Sequence, residues 1–92
     1  MIVTPENIIY NELIGLRVKV IGSSDQSQQS LSGTVVDETA NMLVISTQGS
    51  ARKMIPKAIS RFSFSIPEEV IVEGREIAMS PEERLKRLQR RR

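Results

Sequence analysis

The sequence predicts an all-β fold, a small six-stranded antiparallel barrel with a short N-terminal helix and a basic C-terminal helix. Three observations predict it. Apolar residues alternate with period two over several short runs, turn-forming residues separate those runs at mostly hairpin spacing, and 92 residues suffice for one domain. Six short strands in so small a chain leave exposed edges unless the sheet closes, so a closed or nearly closed barrel is expected. The expected organisation is a helical segment over 1–15, the barrel over 16–79 and a basic helix or tail over 80–92.

Thr4 is a plausible N-cap, and Pro5 fits the first helical position, where its missing N–H costs nothing. Ile9 and Leu13 then share a face, and Gly15 ends the predicted helix. Ile8, Ile9 and Leu13 need a surface to bury against, either the barrel or a partner protein. From Leu16 the period changes to two, with Leu16, Val18 and Val20 on one face and Arg17, Lys19 and Ile21 on the other. The polar run from Gly22 to Ser30 reads as a loop. Gly33–Glu38 is the second strand, and Thr39-Ala40-Asn41 a tight connection with Asn41 suited to positive φ.

Met42–Ser46 is the third and most apolar strand, and Gln48-Gly49-Ser50 turns the chain again. Arg52–Ile55 is a strand that Pro56 must end or confine to an edge. In Arg61–Ile66, Phe62, Phe64 and Ile66 share one face and read as core. After the turn at Pro67-Glu68-Glu69, Val70–Val72 makes a sixth strand running through Gly74 to Ile77. Ser80-Pro81-Glu82-Glu83 reads as an N-cap, a proline at the first helical position and a glutamate three residues after the cap. The helix that follows has only Leu85 and Leu88 as apolar groups, so it is expected to fray unless it docks.

Composition excludes most chemistry. The chain has no cysteine and no histidine, which removes disulfides, thiolate metal sites and the commonest acid–base residue. Asp37 and Glu38 are adjacent on a strand and point to opposite faces, so they form no carboxylate dyad. Glu68 and Glu69 sit in a turn, the serines lack an activating base, and the glycines are isolated rather than gathered in a phosphate loop. No autonomous active site is predicted. The first residues show no signal-peptide pattern and no run is long enough to cross a bilayer, so a soluble intracellular protein is expected.

The total charge of +2 conceals an asymmetry. From Ser80 onward six cations (Arg84, Lys86, Arg87, Arg90, Arg91, Arg92) face two anions (Glu82, Glu83), a net +4 that leaves −2 for the first 79 residues. Arg17 and Lys19 share a strand face about 7 Å apart, given the rise per residue of an extended strand. Arg52, Lys53, Lys57 and Arg61 form a second cluster, and Arg84, Lys86 and Arg87 begin a third. Cation clusters on an otherwise acidic body point to a polyanion. With only Tyr10, Phe62 and Phe64 as aromatics, base stacking on rings is scarce, so contact with phosphates and RNA shape is expected. Two other classes are weighed. A ring-forming RNA binder of the Sm type fits the long polar loop and charged ends poorly, and an adaptor barrel with an aromatic-lined groove lacks the aromatics.

Asn11-Glu12-Leu13-Ile14-Gly15-Leu16, the stretch from Ser32 to Leu43 with Gly33-Thr34-Val35-Val36-Asp37-Glu38-Thr39 at its centre, Ile55-Pro56-Lys57, Phe62-Ser63-Phe64, Gly74 and Pro81-Glu82-Glu83-Arg84 resemble the ribonuclease P protein component 1 family. Asn11 stands where a histidine is frequent, and the loop from Ser23 to Ser32 has no counterpart. The resemblance implies an Sm-like barrel of six antiparallel strands. It implies a noncatalytic, RNA-binding subunit of the archaeal and eukaryal ribonuclease P particle, which removes the 5′ leader from precursor tRNA. The RNA subunit with its magnesium is then the catalyst, and the protein itself binds no cofactor. A small zinc-ribbon subunit is the implied protein neighbour, met through the first helix, with Ile8, Ile9 and Leu13 as the expected anchors. Precursor tRNA is contacted indirectly, no membrane is involved, the isolated chain is a monomer, and an archaeal, cytoplasmic setting is implied.

Overall fold

Period-two alternation builds the sheet. The computed structural model describes residues 8–24, 26, 29–47, 51–66 and 68–90. Its strands are β1 (Arg17–Ser23), β2 (Ser32–Glu38), β3 (Met42–Ser46), β4 (Arg52–Pro56), β5 (Ser60–Ser65) and β6 (Glu69–Glu73), followed by one helix, α1 (Pro81–Arg90). Hydrogen bonding orders them β4-β3-β2-β1-β5-β6, every neighbouring pair antiparallel. Register shifts between Val20 and Gly22 in β1 and between Val35 and Asp37 in β2 bend the sheet, because a bulge increases local twist.

The inward set is Val18, Val20, Val35, Leu43, Ile45, Ile55, Phe62, Phe64 and Val72, all buried. The Phe62 and Phe64 rings lie 6.0 Å apart, tilted at 43°, within the range for favourable aromatic pairs. Ile8, Leu13 and Ile77 complete the same core, with Leu16 and Ile66 packed at its border. The six-stranded antiparallel sheet matches the expectation. Pro56 ends an edge strand, since it cannot donate to a further ladder.

Among the described residues no hydrogen-bond ladder joins β4 to β6, so the sheet ends are not zipped together. They nevertheless meet where β4 leads into Lys57 and β6 into Gly74. A Cβ on Gly74 would fall 1.7 Å from the Lys57 carbonyl oxygen and 2.7 Å from that of Ser60, so only glycine fits this crossing.

Four expectations are corrected. In place of a helix through Leu13 there is a single 3-10 turn over Ile8–Tyr10. Asn11 to Leu13 are not helical, and the carbonyls of Ile9 and Asn11 accept hydrogen bonds from Arg84 instead of from a helix. The expected start at Thr4 and Pro5 lies outside the described residues. Gly15 takes φ +96° and donates its N–H to Val35, so it turns the chain into β1 rather than capping a helix. Asn41 has no positive φ; the only non-glycine residue that does, among those described, is Ser30. The β2–β3 turn closes through Thr39 N–H to Met42 O and Met42 N–H to Thr39 Oγ1. Finally β6 stops at Glu73, and Gly74–Ile77 forms a 3-10 turn that drops Ile77 into the core. The predicted C-terminal helix is present, and the Glu83 N–H donates to Ser80 Oγ at 3.2 Å as its capping pattern requires. No helix of the described residues is long and apolar enough to cross a membrane.

Replacing Gly74 with alanine should destabilise the fold by about 1–3 kcal/mol or more, the range for forcing a methyl into close-packed surroundings. Urea unfolding measures it; an unchanged midpoint would mean that the β4–β6 crossing is not close.

Candidate nucleic-acid interface

Strand alternation sorts the basic residues onto different faces, and register decides which of them meet. Arg17 in β1 stands opposite Thr34 in β2, Thr34 opposite Ser46 in β3, and Ser46 opposite Arg52 in β4. Residues directly across an antiparallel pair share a face, so Arg17, Thr34, Ser46 and Arg52 form one transverse row on the outside of the sheet. With strands about 4.8 Å apart, its two arginines stand roughly 14 Å apart at their Cα atoms. Lys19 lies one step further along β1, opposite Ser32. The middle of the row is a shallow concavity of about 440 Å³ lined by Arg17, Ser32, Gly33, Thr34, Ser46 and Thr47.

Arg17, Lys19, Arg52 and Lys53 are exposed, and none of them forms an ion pair among the described residues. Lys53 follows Arg52 directly and stands opposite Ile45, so the doublet is split between the two faces of an edge strand. In the other direction the row ends differently. Arg17 faces Ser65 of β5, and Ser65 faces Glu69 of β6. Arg61 is exposed, and its Nε donates to Glu73. The β6 side of the outer face therefore carries carboxylates, and the unpaired positive field runs from β1 toward β4.

Two of the predicted RNA contacts are not on the surface. Arg84 is 1 % exposed and Lys57 fully buried, and both converge on Glu38. Arg84 grips this carboxylate as a fork, Nε to Oε2 at 3.0 Å and Nη2 to Oε1 at 2.6 Å, while Lys57 Nζ donates to Oε2 at 2.8 Å. The cluster has one cation in excess. Backbone carbonyls solvate it: Lys57 also reaches Thr39, Ala40 and Met79, and Arg84 Nη1 donates to Ile9 and Asn11 at 2.9 Å each. Burial pushes the Lys57 ammonium below its ordinary 10.5, against the opposing pull of Glu38.

The remaining expectations divide. Lys86 is exposed and pairs loosely with Glu82 at 3.4 Å, an arrangement worth little at a surface. The Arg87 side chain lies outside the described residues. Ile8 and Leu13 are each 1 % exposed and Ile9 is half-buried against the same core, so the expected partner anchors are core of this chain. Arg84 donates to the carbonyls of Ile9 and Asn11 and so ties this segment to the end of the sheet. Sequence reasoning did not single out Thr34 and Ser46, whose alternation with Val35 and Ile45 was the available signal. Nor did it find Glu38 as a buried anchor.

The comparisons agree with one another. A family model described as Ribonuclease P/MRP, subunit p29 matches residues 6–87. Ribonuclease P protein component 1 of Staphylothermus marinus is 45 % identical over 89 residues, spanning 95 % of this chain and 97 % of that protein. Its counterpart from Methanocaldococcus jannaschii is 42 % identical over 86 residues, 92 % of this chain and 90 % of the relative. Among solved structures, that of Mth11, described as a homologue of human RNase P protein Rpp29, matches with a TM-score of 0.61 and 41 % identity, covering 79 % of this chain and 96 % of the other.

Glu38→Gln should cost about 3–5 kcal/mol, because it leaves two buried cations without their counter-charge. Arg84→Ala should fall in the same range and also weaken protection of residues 8–13. Chemical denaturation with amide hydrogen exchange reads both; surface-like losses under 1 kcal/mol would refute the buried cluster.

Proposed function

This chain belongs to the ribonuclease P/MRP subunit p29 family, and from that premise we propose that it is a noncatalytic RNA-binding subunit of ribonuclease P. In this reading it supports removal of the 5′ leader from precursor tRNA, while the RNA subunit, with its magnesium ions, does the cutting. The observation that carries the proposal is the row Arg17–Thr34–Ser46–Arg52. It joins two guanidiniums that have no ion pair among the described residues through hydroxyl groups, with no carboxylate between them. Guanidinium forks and hydroxyls donate to phosphate oxygens, and a rigid sheet holds them at fixed separation, so little ordering is needed on binding.

Arg17, Lys19 and Arg52, on the outer face, are the proposed phosphate contacts of the row, and Lys53, on the other face of the edge strand β4, is a separate proposed contact at the sheet edge. Arg61 is held toward Glu73, and Lys57 and Arg84 act on RNA only through the fold. Lys86 adds charge from α1. The protein neighbour in this reading is the small zinc-ribbon subunit, met by surface other than Ile8 and Leu13.

Four neutralised phosphates give a log–log dependence of affinity on salt of roughly −2.8 to −3.6. Arg17→Ala and Arg52→Ala should each make the slope shallower by about one. Filter binding of the ribonuclease P RNA at several salt concentrations tests this; a slope untouched by the double variant would sink the proposed row.

A further inference from the structure

We propose that a second concavity, at the rim where β1 ends and β5 begins, binds one splayed-out nucleotide of single-stranded RNA. Its phosphate sits on Arg75 and its base lies flat on the Arg61 guanidinium. This deepens the RNA-binding reading above and rests on it.

The concavity measures about 580 Å³, and its walls include Ser23, Ser24, Ile59, Arg61, Glu73 and Arg75. Three parts of the chain meet to build it. Gly22 stands opposite Arg61, and Arg61 opposite Glu73, so β1, β5 and β6 supply one wall. The Ser24 N–H donates to the Ile59 carbonyl at 3.1 Å, which ties the end of β1 to the β4–β5 turn. The 3-10 turn after β6 adds Arg75, which is exposed and has no ion pair among the described residues.

Each wall offers what one part of a nucleotide needs. Arg75 leaves the site with one unit of positive charge, since Arg61 and Glu73 offset each other, and an unpaired guanidinium suits a phosphate. Glu73 holds Arg61 through Nε. That contact restrains the planar group through Nε, and the side chain is more than half exposed. Splayed bases stack on such planes as they do on aromatic rings. That alternative suits a chain whose two phenylalanines are both buried in the core. Ile59 is 42 % exposed at the wall, giving an apolar contact for the edge of a base or ribose, and the exposed Ser24 supplies a hydroxyl for a sugar or base edge.

The site lies at the opposite end of β1 from Arg17. Arg17, Lys19 and Arg61 occupy successive outward levels of the β1–β5 ladder, facing Ser65, Ser63 and Gly22 in turn. A strand that leaves the transverse row along β1 therefore arrives at this rim.

The test is a titration of the full chain with single-stranded hexaadenylate and with an abasic strand of equal length and charge, followed by backbone amide chemical shifts. Shifts centred on Ser24, Ile59 and Arg75, with hexaadenylate binding about five- to a hundredfold tighter than the abasic strand, are expected for a stacked base. Arg75→Ala should weaken both strands. Arg61→Lys, which keeps the charge and loses the plane, should abolish only the preference for hexaadenylate. Equal binding of the two strands, or shifts confined to Arg17, Thr34 and Arg52, would overturn the nucleotide site and leave the transverse row standing. Failure of that row would instead appear as an unchanged salt slope with the ribonuclease P RNA.

Discussion

Everything at one end of this molecule depends on a single buried carboxylate. Glu38 closes β2, and the side chains that neutralise it come from the far end of β4 and from the C-terminal helix. Arg84 continues past Glu38 to two carbonyls of the N-terminal segment, while Lys57 reaches the chain just ahead of α1 at Met79. Four stretches remote in sequence are thereby held by one charge cluster. Geometry has to be good for such a cluster to be tolerated, because desolvating ions is expensive unless every remaining donor is satisfied. The surrounding carbonyls meet that condition for the Lys57 ammonium and for Nη1 of Arg84. The helix is anchored in this way by a cation, and Leu85 remains partly exposed.

The same cluster explains why charge counting along the chain misleads. Lys57 and Arg84 sit among other cations in sequence and look like members of basic patches, yet they point inward. Arg52 and Lys53 are adjacent and separate onto opposite faces. What remains outside is smaller and better defined than the clusters suggest. It is a row fixed by register, its two arginines joined by hydroxyls and bounded beyond Arg17 by the carboxylates of β6.

How much of this was legible follows element by element. Strands β1, β3 and β5 were readable because alternation of Val18, Val20, Leu43, Ile45, Phe62 and Phe64 is a local signal that burial enforces. Ser80-Pro81-Glu82-Glu83 was readable because capping chemistry is local too. Asp37 and Glu38 were separable by face, and the structure does leave Asp37 exposed and Glu38 buried. Which of the two turns inward was not legible, since the register shift between Val35 and Asp37 resets the alternation. The N-terminal helix was misread for a related reason. Its carbonyls find partners on Arg84, more than seventy residues away, and no local pattern reports that. The transverse row required pairing registers across four strands, a property of the sheet and of no single segment.

The acidic strand gives the surface a direction. Glu69 lies at the end of the Arg17 row and Glu73 holds Arg61, so a polyanion lying across the sheet meets repulsion at β6 and attraction toward β4. At physiological salt these charges act over roughly 8 Å, which is less than two inter-strand spacings. The border is therefore local. It leaves the field over β2 and β3 to Arg17 and Arg52. Repulsion at one margin discriminates among docking orientations as effectively as attraction at the other. On the proposed reading, a sheet with few aromatics for reading bases is thereby suited to fixing the orientation of a nucleic-acid backbone rather than its sequence.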